Sequence, residues 1–221
     1  MARRMGRGGH AVTPDDMRQP IQSRAQVTID RICSASVDIL TEAGWDAFNT
    51  NVVAARAGVS GPTVYRYFPN KYVLAAELRR RVDEAEAQAA LPAIERIGRN
   101  VSLSDTIGDW VRATAEARSK QPVALLLRSM STAVPDLSRT DAGSDSVLAE
   151  LTAALQRLQP ALTVDGAAER ARAIRTSVDS LIDDSLRDGS PSRQRISLIV
   201  DMATTMMASA ASVESLHVGA E

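Results

Sequence analysis

Apolar residues recur at steps of three and four along most of the chain, a spacing typical of helices that bury one face. The first such stripe starts at Arg24 and ends at Gly44, a residue type that commonly terminates a helix. The sequence shows no segment with the two-residue alternation of a half-buried strand. The pattern therefore predicts an all-α fold.

Capping residues and glycine or proline breaks divide the remaining sequence into further helices. Asn49 or Thr50 is a suitable N-cap for a short helix over about 51–57, and Ser60 caps a second short helix with Pro62 in its first turn. Later helices are predicted after residue 70 and over about 104–119, 122–134, 144–159, 165–187 and 190–216. The chain is thus expected to contain about nine helices.

The composition fits a globular protein with an uneven charge. Of 221 residues, 44% are apolar and 24% are charged, and Cys33 is the single cysteine, so no disulfide can form within the chain. No apolar run is long enough to span a bilayer, and these features together predict a cytoplasmic protein without a membrane partner. Residues 1–81 carry 12 Arg and Lys against 7 Asp and Glu. This excess favours a polyanion as partner of the N-terminal part, although a solvated surface often shows a similar excess.

The two short helices around Gly58-Val59-Ser60 are the most informative feature. Two short helices joined by a glycine turn are typical of a helix-turn-helix, although helical hairpins without a DNA partner share this pattern. The second helix places Arg66 and Thr63 outward, where a guanidinium can pair with guanine and a methyl group can contact thymine. Tyr65 and Tyr67 offer phenol donors for phosphate oxygens. The candidate DNA contacts are Thr50, Asn51, Ser60, Gly61, Pro62, Thr63, Tyr65, Arg66, Tyr67 and Lys71.

The segment FNTNVVAARAGVSGPTVYRYFPNKYVL resembles the DNA-binding signature of the tetracycline-repressor (TetR) family of transcriptional regulators. The preceding RICSASVDILTEAG is similar to the first helix of that family, and the resemblance covers about residues 24–78. Pro62 stands where such proteins often have glycine, with Gly61 one position earlier. The resemblance implies a homodimeric regulator that binds a double-stranded, palindromic DNA operator and is released by a small-molecule effector. Repression is the expected direction of control, and activation is the alternative.

The resulting organisation has three parts. Residues 1–22 lack an apolar period and are interpreted as a disordered basic arm, either an unstructured leader or an arm that follows DNA phosphates or enters a minor groove. Residues 23–72 form the helix-turn-helix DNA-binding domain, and residues 73–221 form a helical domain for effector binding and dimerisation. In this family, a ligand that prefers a wider dimer moves the recognition helices apart and weakens operator binding.

The resemblance also implies that the last two long helices form a four-helix bundle with a second subunit. The final helix is apolar over most of its circumference, which supports this interpretation, while burial inside one chain is the alternative. The candidate interface residues are Ile174, Val178, Leu181, Ile182, Ile199, Ala203, Met206, Met207 and Ala210.

The resemblance implies that the middle helices enclose a pocket for a small effector. Because this region has few aromatics, the pocket is expected to be mainly aliphatic and to take an apolar or amphipathic ligand. Its candidate lining, for which core packing is the alternative, is Leu78, Val82, Trp110, Thr114, Leu126, Leu127, Met130 and Thr132. Arg128 lies in an otherwise apolar stretch, where it can meet a ligand anion or a neighbouring carboxylate.

Two other functions compete with transcriptional regulation as interpretations of the sequence. Glu214 and His217 have the Glu-x-x-His spacing of carboxylate di-iron enzymes, but that architecture needs two such motifs, and His10 is the only other histidine. The sequence therefore predicts no enzyme, no metal and no cofactor. An architectural protein that binds DNA without sequence preference is the second rival, and it would not need the acidic C-terminal part.

Overall fold

The computed structural model describes residues 14–130, 142–189 and 191–209. Over these residues the chain is all-helical, with nine helices and no strand, as the sequence pattern predicts. They are α1 (Pro14–Ala47), α2 (Thr50–Ala57), α3 (Gly61–Tyr67), α4 (Lys71–Ile94), α5 (Leu103–Ser119), α6 (Ala124–Met130), α7 (Ala142–Leu158), α8 (Val164–Arg187) and α9 (Arg193–Ala208).

The first helix differs from the prediction at its start. It begins at Pro14, so residues 14–22 are helical and do not belong to a disordered arm, whereas residues 1–13 lie outside the described residues. At its other end the predicted break at Gly44 is confirmed, because this residue has φ 72° and ψ −170° and kinks the chain before Ala47. A left-handed φ of this kind is easily adopted by glycine and strained for other residues. The predicted continuation of α9 beyond residue 209 lies outside the described residues.

The chain divides into two compact units, residues 1–71 and 72–221, called unit 1 and unit 2 below. In unit 1, α2 packs against both α1 and α3. Its fully buried apolar side chains include Ile32 on α1, Phe48 before α2, Val53 on α2 and Val64 on α3. Cys33 is also buried, as expected for a small apolar side chain on the inner stripe of α1.

In unit 2, α8 packs against α5, α7 and α9, and α5 also packs against α9. The core between these helices is mainly aliphatic, with Leu151, Leu155, Ile174 and Val178 almost fully buried and Trp110 as its one aromatic member. Among the described residues, no helix is long and apolar enough to cross a lipid bilayer.

Candidate nucleic-acid interface

The turn between α2 and α3 has the geometry of a helix-turn-helix. Gly58 ends α2 in the left-handed region, with φ 64° and ψ 36°. Its N–H donates to the carbonyl of Ala55 at 3.3 Å, and the N–H of Val59 donates to the carbonyl of Ala54 at 3.1 Å. These two bonds satisfy carbonyl groups that the end of a helix would otherwise leave without partners. The glycine therefore sets the direction in which the chain enters α3.

Side-chain caps begin both helices. Asn49 caps α2, because its Oδ1 accepts from the N–H groups of Asn51 at 3.1 Å and Val52 at 3.0 Å. Of the two candidate caps for α2, the structure thus selects Asn49. Ser60 caps α3 as predicted, since its Oγ accepts from the N–H of Thr63 at 3.3 Å and lies 2.7 Å from that residue's hydroxyl. The Ser60 and Thr63 hydroxyls are therefore held together at the start of α3.

α3 presents one face to unit 1 and the opposite face to solvent. Val64 is fully buried on the inner face, and the N–H of Phe68, which is itself buried, donates to the Val64 carbonyl at 2.8 Å. The outer face is polar and aromatic, and an α-helix of this size and character fits the major groove of B-DNA. The predicted contacts Ser60, Pro62, Tyr65 and Arg66 are exposed on it, and Gly61, Thr63 and Tyr67 are half-buried. Asn51 is exposed on α2, and Lys71 at the start of α4 is half-buried.

Thr50 is a predicted DNA contact that lies buried in unit 1. It is only 7% exposed, and its hydroxyl donates to the phenol oxygen of Tyr65 at 3.1 Å. The hydroxyl is thus engaged inside unit 1, while Tyr65 itself is 47% exposed. Because the phenol oxygen accepts this bond, its own O–H remains available to a partner outside the protein. The structure therefore places the Thr50 hydroxyl against Tyr65, and a direct contact of Thr50 with DNA stays a prediction.

Arg66 is held in place by its neighbour Tyr67. One guanidinium nitrogen, Nη2, donates to the phenol oxygen of Tyr67 at 2.6 Å, and the guanidinium carbon lies 4.7 Å from the centroid of that ring. An arginine restrained by a ring and a hydrogen bond loses less conformational freedom when it binds. The Arg66 fork is therefore pre-organised on the exposed face of α3.

The sequence interpretation missed one residue of this surface, Trp45. The ammonium group of Lys71 lies 4.5 Å from the centroid of the Trp45 ring, and that ring packs against Phe48 with centroids 5.4 Å apart. The signal was present, because Trp45 is one of two tryptophans in a chain with few aromatics and directly follows the glycine kink at residue 44.

The N-terminal turns of α2 and α4 contain no negative charge that would offset the partial positive charge of a helix N-terminus. The first turns of α2 and α4 contain no acidic residue, whereas those of α5, α7 and α8 contain Asp105, Asp145 and Asp165. Helix N-termini carry a partial positive charge that attracts phosphate, and an acidic residue in the first turn would neutralise it. The N-terminal ends of α2 and α4 therefore keep their attraction for an anion.

One carboxylate near the end of α1 is neutralised by a cation of α2. Arg56 makes two hydrogen bonds to Glu42, at 2.7 Å and 3.1 Å. These bonds from Arg56 hold the pKa of the Glu42 carboxyl below its ordinary value. The bridge also joins α1 to α2 within unit 1.

In unit 2, most of the predicted effector-lining residues are core residues. Leu78, Val82 and Leu127 are at most 3% exposed. Leu126 and Met130 are half-buried, and Thr132 lies outside the described residues. A cavity of about 20 Å³, close to the size that one water molecule needs, is lined by Trp110 and Thr114.

The walls of this cavity correct the expectation of a mainly aliphatic pocket, because they include Asp83, Glu86 and Asp179. These carboxylates belong to a buried ionic network around two arginines. Arg118, whose side chain is fully buried, pairs with Glu86 at 2.7 Å, Asp179 at 2.6 Å and Asp183 at 2.7 Å.

Arg128 completes the ionic network. It pairs with Asp179 at 3.1 Å and Asp183 at 3.2 Å, so the salt-bridge alternative considered for this residue is confirmed. Burial alone would raise the pKa of Asp179, but Arg118, Arg128 and Arg175 together hold that pKa below its ordinary value. The centre of unit 2 is therefore charged but internally paired.

A wider groove of about 480 Å³ lies between the starts of α5 and α9. Its lining includes Asp105, Arg112, Arg193, Ile196 and Val200. None of the residues predicted to bind an effector lines this groove.

Most of the residues predicted for the dimer interface are buried inside the chain itself. Only Leu181 is exposed, at 39%, while Met206 is half-buried and Ala210 lies outside the described residues. The other six are at most 2% exposed: Ile174, Val178, Ile182, Ile199, Ala203 and Met207. These six belong to the apolar core of unit 2, which supports the alternative of burial inside one chain, and their contact with a second subunit stays a prediction.

The metal-binding alternative concerns residues whose structure is not described. Within the described ranges, no three His, Cys, Asp or Glu side chains are grouped so that they could hold a metal ion. His10, Glu214 and His217 lie outside those ranges.

Comparison with known proteins identifies similar sequences and folds. Residues 32–78 match the family described as bacterial regulatory proteins, tetR family. Over 147 residues the chain is 27% identical to uncharacterized HTH-type transcriptional regulators of Mycobacterium tuberculosis and Mycobacterium bovis, a match that covers 59% of this chain and 75% of each relative.

Solved structures extend the similarity of fold beyond the matched segment. The TetR family transcriptional regulator PfmR of Thermus thermophilus superposes with a TM-score of 0.56 at 18% identity, over 80% of this chain and 97% of that one. A transcriptional regulator of Rhodococcus superposes with a TM-score of 0.59 at 22% identity, over 82% of this chain and 96% of that one. The helices of unit 2 thus follow a known arrangement, although the family match itself covers residues 32–78.

Proposed function

We propose that this chain is a DNA-binding transcriptional regulator of the TetR family rather than an enzyme, and that it acts as a homodimeric repressor that leaves a palindromic operator when an effector binds. The observation that carries the operator-binding part is the outer face of α3, where Ser60 caps the helix and Tyr67 holds the exposed Arg66. Such a regulator acts where the chromosome is, and we place it in the cytoplasm.

Each exposed or half-buried side chain of this surface has a proposed role that its chemistry supports. Arg66 reads guanine through its O6 and N7 acceptors, and Thr63 contacts a thymine methyl group. Tyr65, Tyr67 and Lys71 donate to phosphate oxygens and fix the register of the protein on the duplex. Sequence choice therefore depends on α3, while most of the affinity depends on the surrounding donors.

Operator binding is tested by selecting bound sequences from a pool of random duplexes and measuring affinity for the selected site and for an unrelated duplex. The selected site should be palindromic, with half-sites one helical turn apart, about 34–36 Å. Arg66→Ala should lower affinity for the selected site by about 1–3 kcal/mol and reduce the preference for it, because a base contact is lost. Lys71→Ala should weaken binding to both duplexes equally.

Lys120→Ala is the matched control for charge removal. Lys120 is an exposed residue of unit 2 that pairs with Glu116, so its loss should leave DNA affinity unchanged. Equal losses on the two duplexes for Arg66→Ala would contradict the reading role of Arg66. A wild-type protein that prefers no duplex would instead support the architectural alternative.

The proposed dimer face is the solvent side of α8 and α9. Leu198 is 62% exposed and Leu181 is 39% exposed, and both line one shallow groove with Asp184 and Arg195. Exposed leucines that lie close together are typical of surfaces that bind a second protein. A second copy of the chain is the proposed partner, because a palindromic operator requires two recognition helices related by two-fold symmetry.

The effector part of the proposal concerns the small cavity beside Trp110. Because Asp83, Glu86 and Asp179 line it, a ligand that enlarges it must replace some of their ion pairs with polar contacts of its own. We therefore propose an amphipathic effector, with a polar end toward these carboxylates and an apolar end toward Trp110. A screen for compounds that both raise the thermal midpoint and release the selected duplex tests this, and a compound that only raises the midpoint would not qualify as an inducer.

A further inference from the structure

Lys71 occupies a position that a helix does not favour for a cation. It is the first residue of α4, where the partial positive charge of the helix N-terminus repels an ammonium group. No acidic residue in the first turn offsets this repulsion. The side chain nevertheless lies half-buried in a defined place within unit 1. One feature of unit 1 can offset this repulsion.

The face of Trp45 provides that feature. The Lys71 ammonium nitrogen lies 4.5 Å from the ring centroid, well inside the range of about 6 Å over which a ring attracts a cation. The ring is itself fixed, because it packs at 41° against Phe48, which is fully buried. The N–H of Phe48 also donates to the Trp45 carbonyl at 3.2 Å. The cation is thus connected through one ring to the core of unit 1.

We propose that Trp45 is a positioning residue for DNA binding that holds the Lys71 ammonium at the start of α4, ready to meet a phosphate oxygen. This inference rests on the proposed function, in which Lys71 contacts the DNA backbone. An ammonium group has three donors, so one side can face the ring while another faces a phosphate. Because the ring restricts the flexible lysine before binding, less side-chain freedom is lost on the DNA.

The test is a double-mutant cycle with full-length protein, measured on the selected duplex and on an unrelated duplex at several salt concentrations. Trp45→Leu should weaken binding to both duplexes about two- to fivefold, the effect of losing an exposed cation–π contact. Its salt dependence should stay unchanged, because Lys71 still neutralises a phosphate. Lys71→Met should lower the slope of log affinity against log salt by about 0.9. Adding Trp45→Leu to Lys71→Met should then cause no further loss.

Trp45→Phe keeps a ring against Phe48, so its DNA affinity should lie between those of the wild type and Trp45→Leu. If circular dichroism shows that Trp45→Leu does not fold, Trp45→Phe replaces it in the cycle. Arg66→Ala combined with Trp45→Leu is the control pair, and its two effects should add, since Arg66 contacts Tyr67. Equal losses from the Trp45 variant with and without Lys71 would show a purely structural role and overturn the inference. Tighter binding by the Trp45 variant would also overturn it, because the ring would then be withholding the lysine. A wild-type protein without preference for any duplex would instead refute the proposed function.

Discussion

Replacing Arg118 with methionine tests how strongly the ionic network holds unit 2 together. The arginine side chain is fully buried and makes two hydrogen bonds to Glu86, at 3.0 Å and 2.7 Å. It donates further bonds to the carboxylates of Asp179 at 2.6 Å and Asp183 at 2.7 Å. Methionine keeps much of the volume but removes every donor. The variant therefore leaves three buried or half-buried carboxylates without their main cation.

The expected cost is large because the loss is one-sided. Removing one partner of a buried ion pair typically costs about 3–5 kcal/mol, since the remaining charge stays in a poorly solvated place. A domain of this kind is stable by only about 5–15 kcal/mol in total. Arg128 also faces Asp179 and Asp183 and will compensate in part, which places the expectation at the lower end, about 3 kcal/mol.

Urea unfolding followed by circular dichroism measures this cost, with Lys120→Met as the matched control. Lys120 and Glu116 form an exposed pair, 69% and 68% accessible, whose loss should cost less than about 1 kcal/mol. If Arg118→Met lowered the free energy of unfolding no more than Lys120→Met does, the buried network would stabilise unit 2 no more than an exposed ion pair. That result would contradict the expected cost of leaving buried carboxylates unpaired.

The pH dependence of the free energy of unfolding provides a second, independent test of the same prediction. In the wild type the pKa of Asp179 lies below its ordinary value, so its contribution is fully present above about pH 4 and is lost as the pH falls through the lowered pKa. Without Arg118 the Asp179 carboxyl loses a cation that holds its pKa down, so its pKa rises. The deficit of the variant should therefore shrink as the pH is lowered from 7 towards 4. A deficit that is constant over this range would point to packing loss instead of unpaired charge.

Three further changes test the helix-turn-helix and the dimer. Gly58→Ala should lower the free energy of unfolding by about 1–2 kcal/mol, measured by thermal unfolding, because the φ of Gly58 is 64°. Gly61→Ala is the control and should be nearly neutral, since the φ of Gly61 is not left-handed. Neither glycine has atoms within 4 Å of an added Cβ, so the two substitutions differ in backbone conformation alone. Thr50→Val should weaken binding to all duplexes alike by releasing Tyr65, and equal affinity for wild type and variant would refute the orienting role of Thr50. Leu198→Asp should shift the protein to monomer in sedimentation and abolish cooperative operator binding; an intact dimer would refute the proposed face.

The architecture of unit 1 follows from local sequence signals. Gly58 adopts the left-handed backbone conformation of the turn, Ser60 caps α3, and Val64 fills the buried face of α3. Each of these residues lies within a few positions of the turn or helix that it determines. Contacts between residues that are distant in sequence do not follow from such local signals. Thr50 reads as an exposed first-turn residue until the fold places Tyr65, fifteen positions later, against its hydroxyl. Trp45 becomes part of the interface only when α4 returns Lys71 to its ring.

In unit 2 the sequence pattern reported which positions are apolar but not what they pack against. The stripes of α8 and α9 have the same spacing whether they meet another helix of the chain or a second subunit, so spacing alone does not distinguish the core positions of Ile174 and Ile199 from a subunit interface. Buried charge is harder still to foresee, because Arg118 and Asp179 look like ordinary surface residues and are paired across 61 positions. Their burial has a consequence for regulation. In the proposed regulation, a ligand that enters beside Trp110 must rearrange charges on α4, the helix that starts at Lys71. The residues proposed to determine effector response and those that hold the ionic network together therefore overlap in Glu86 and Asp83.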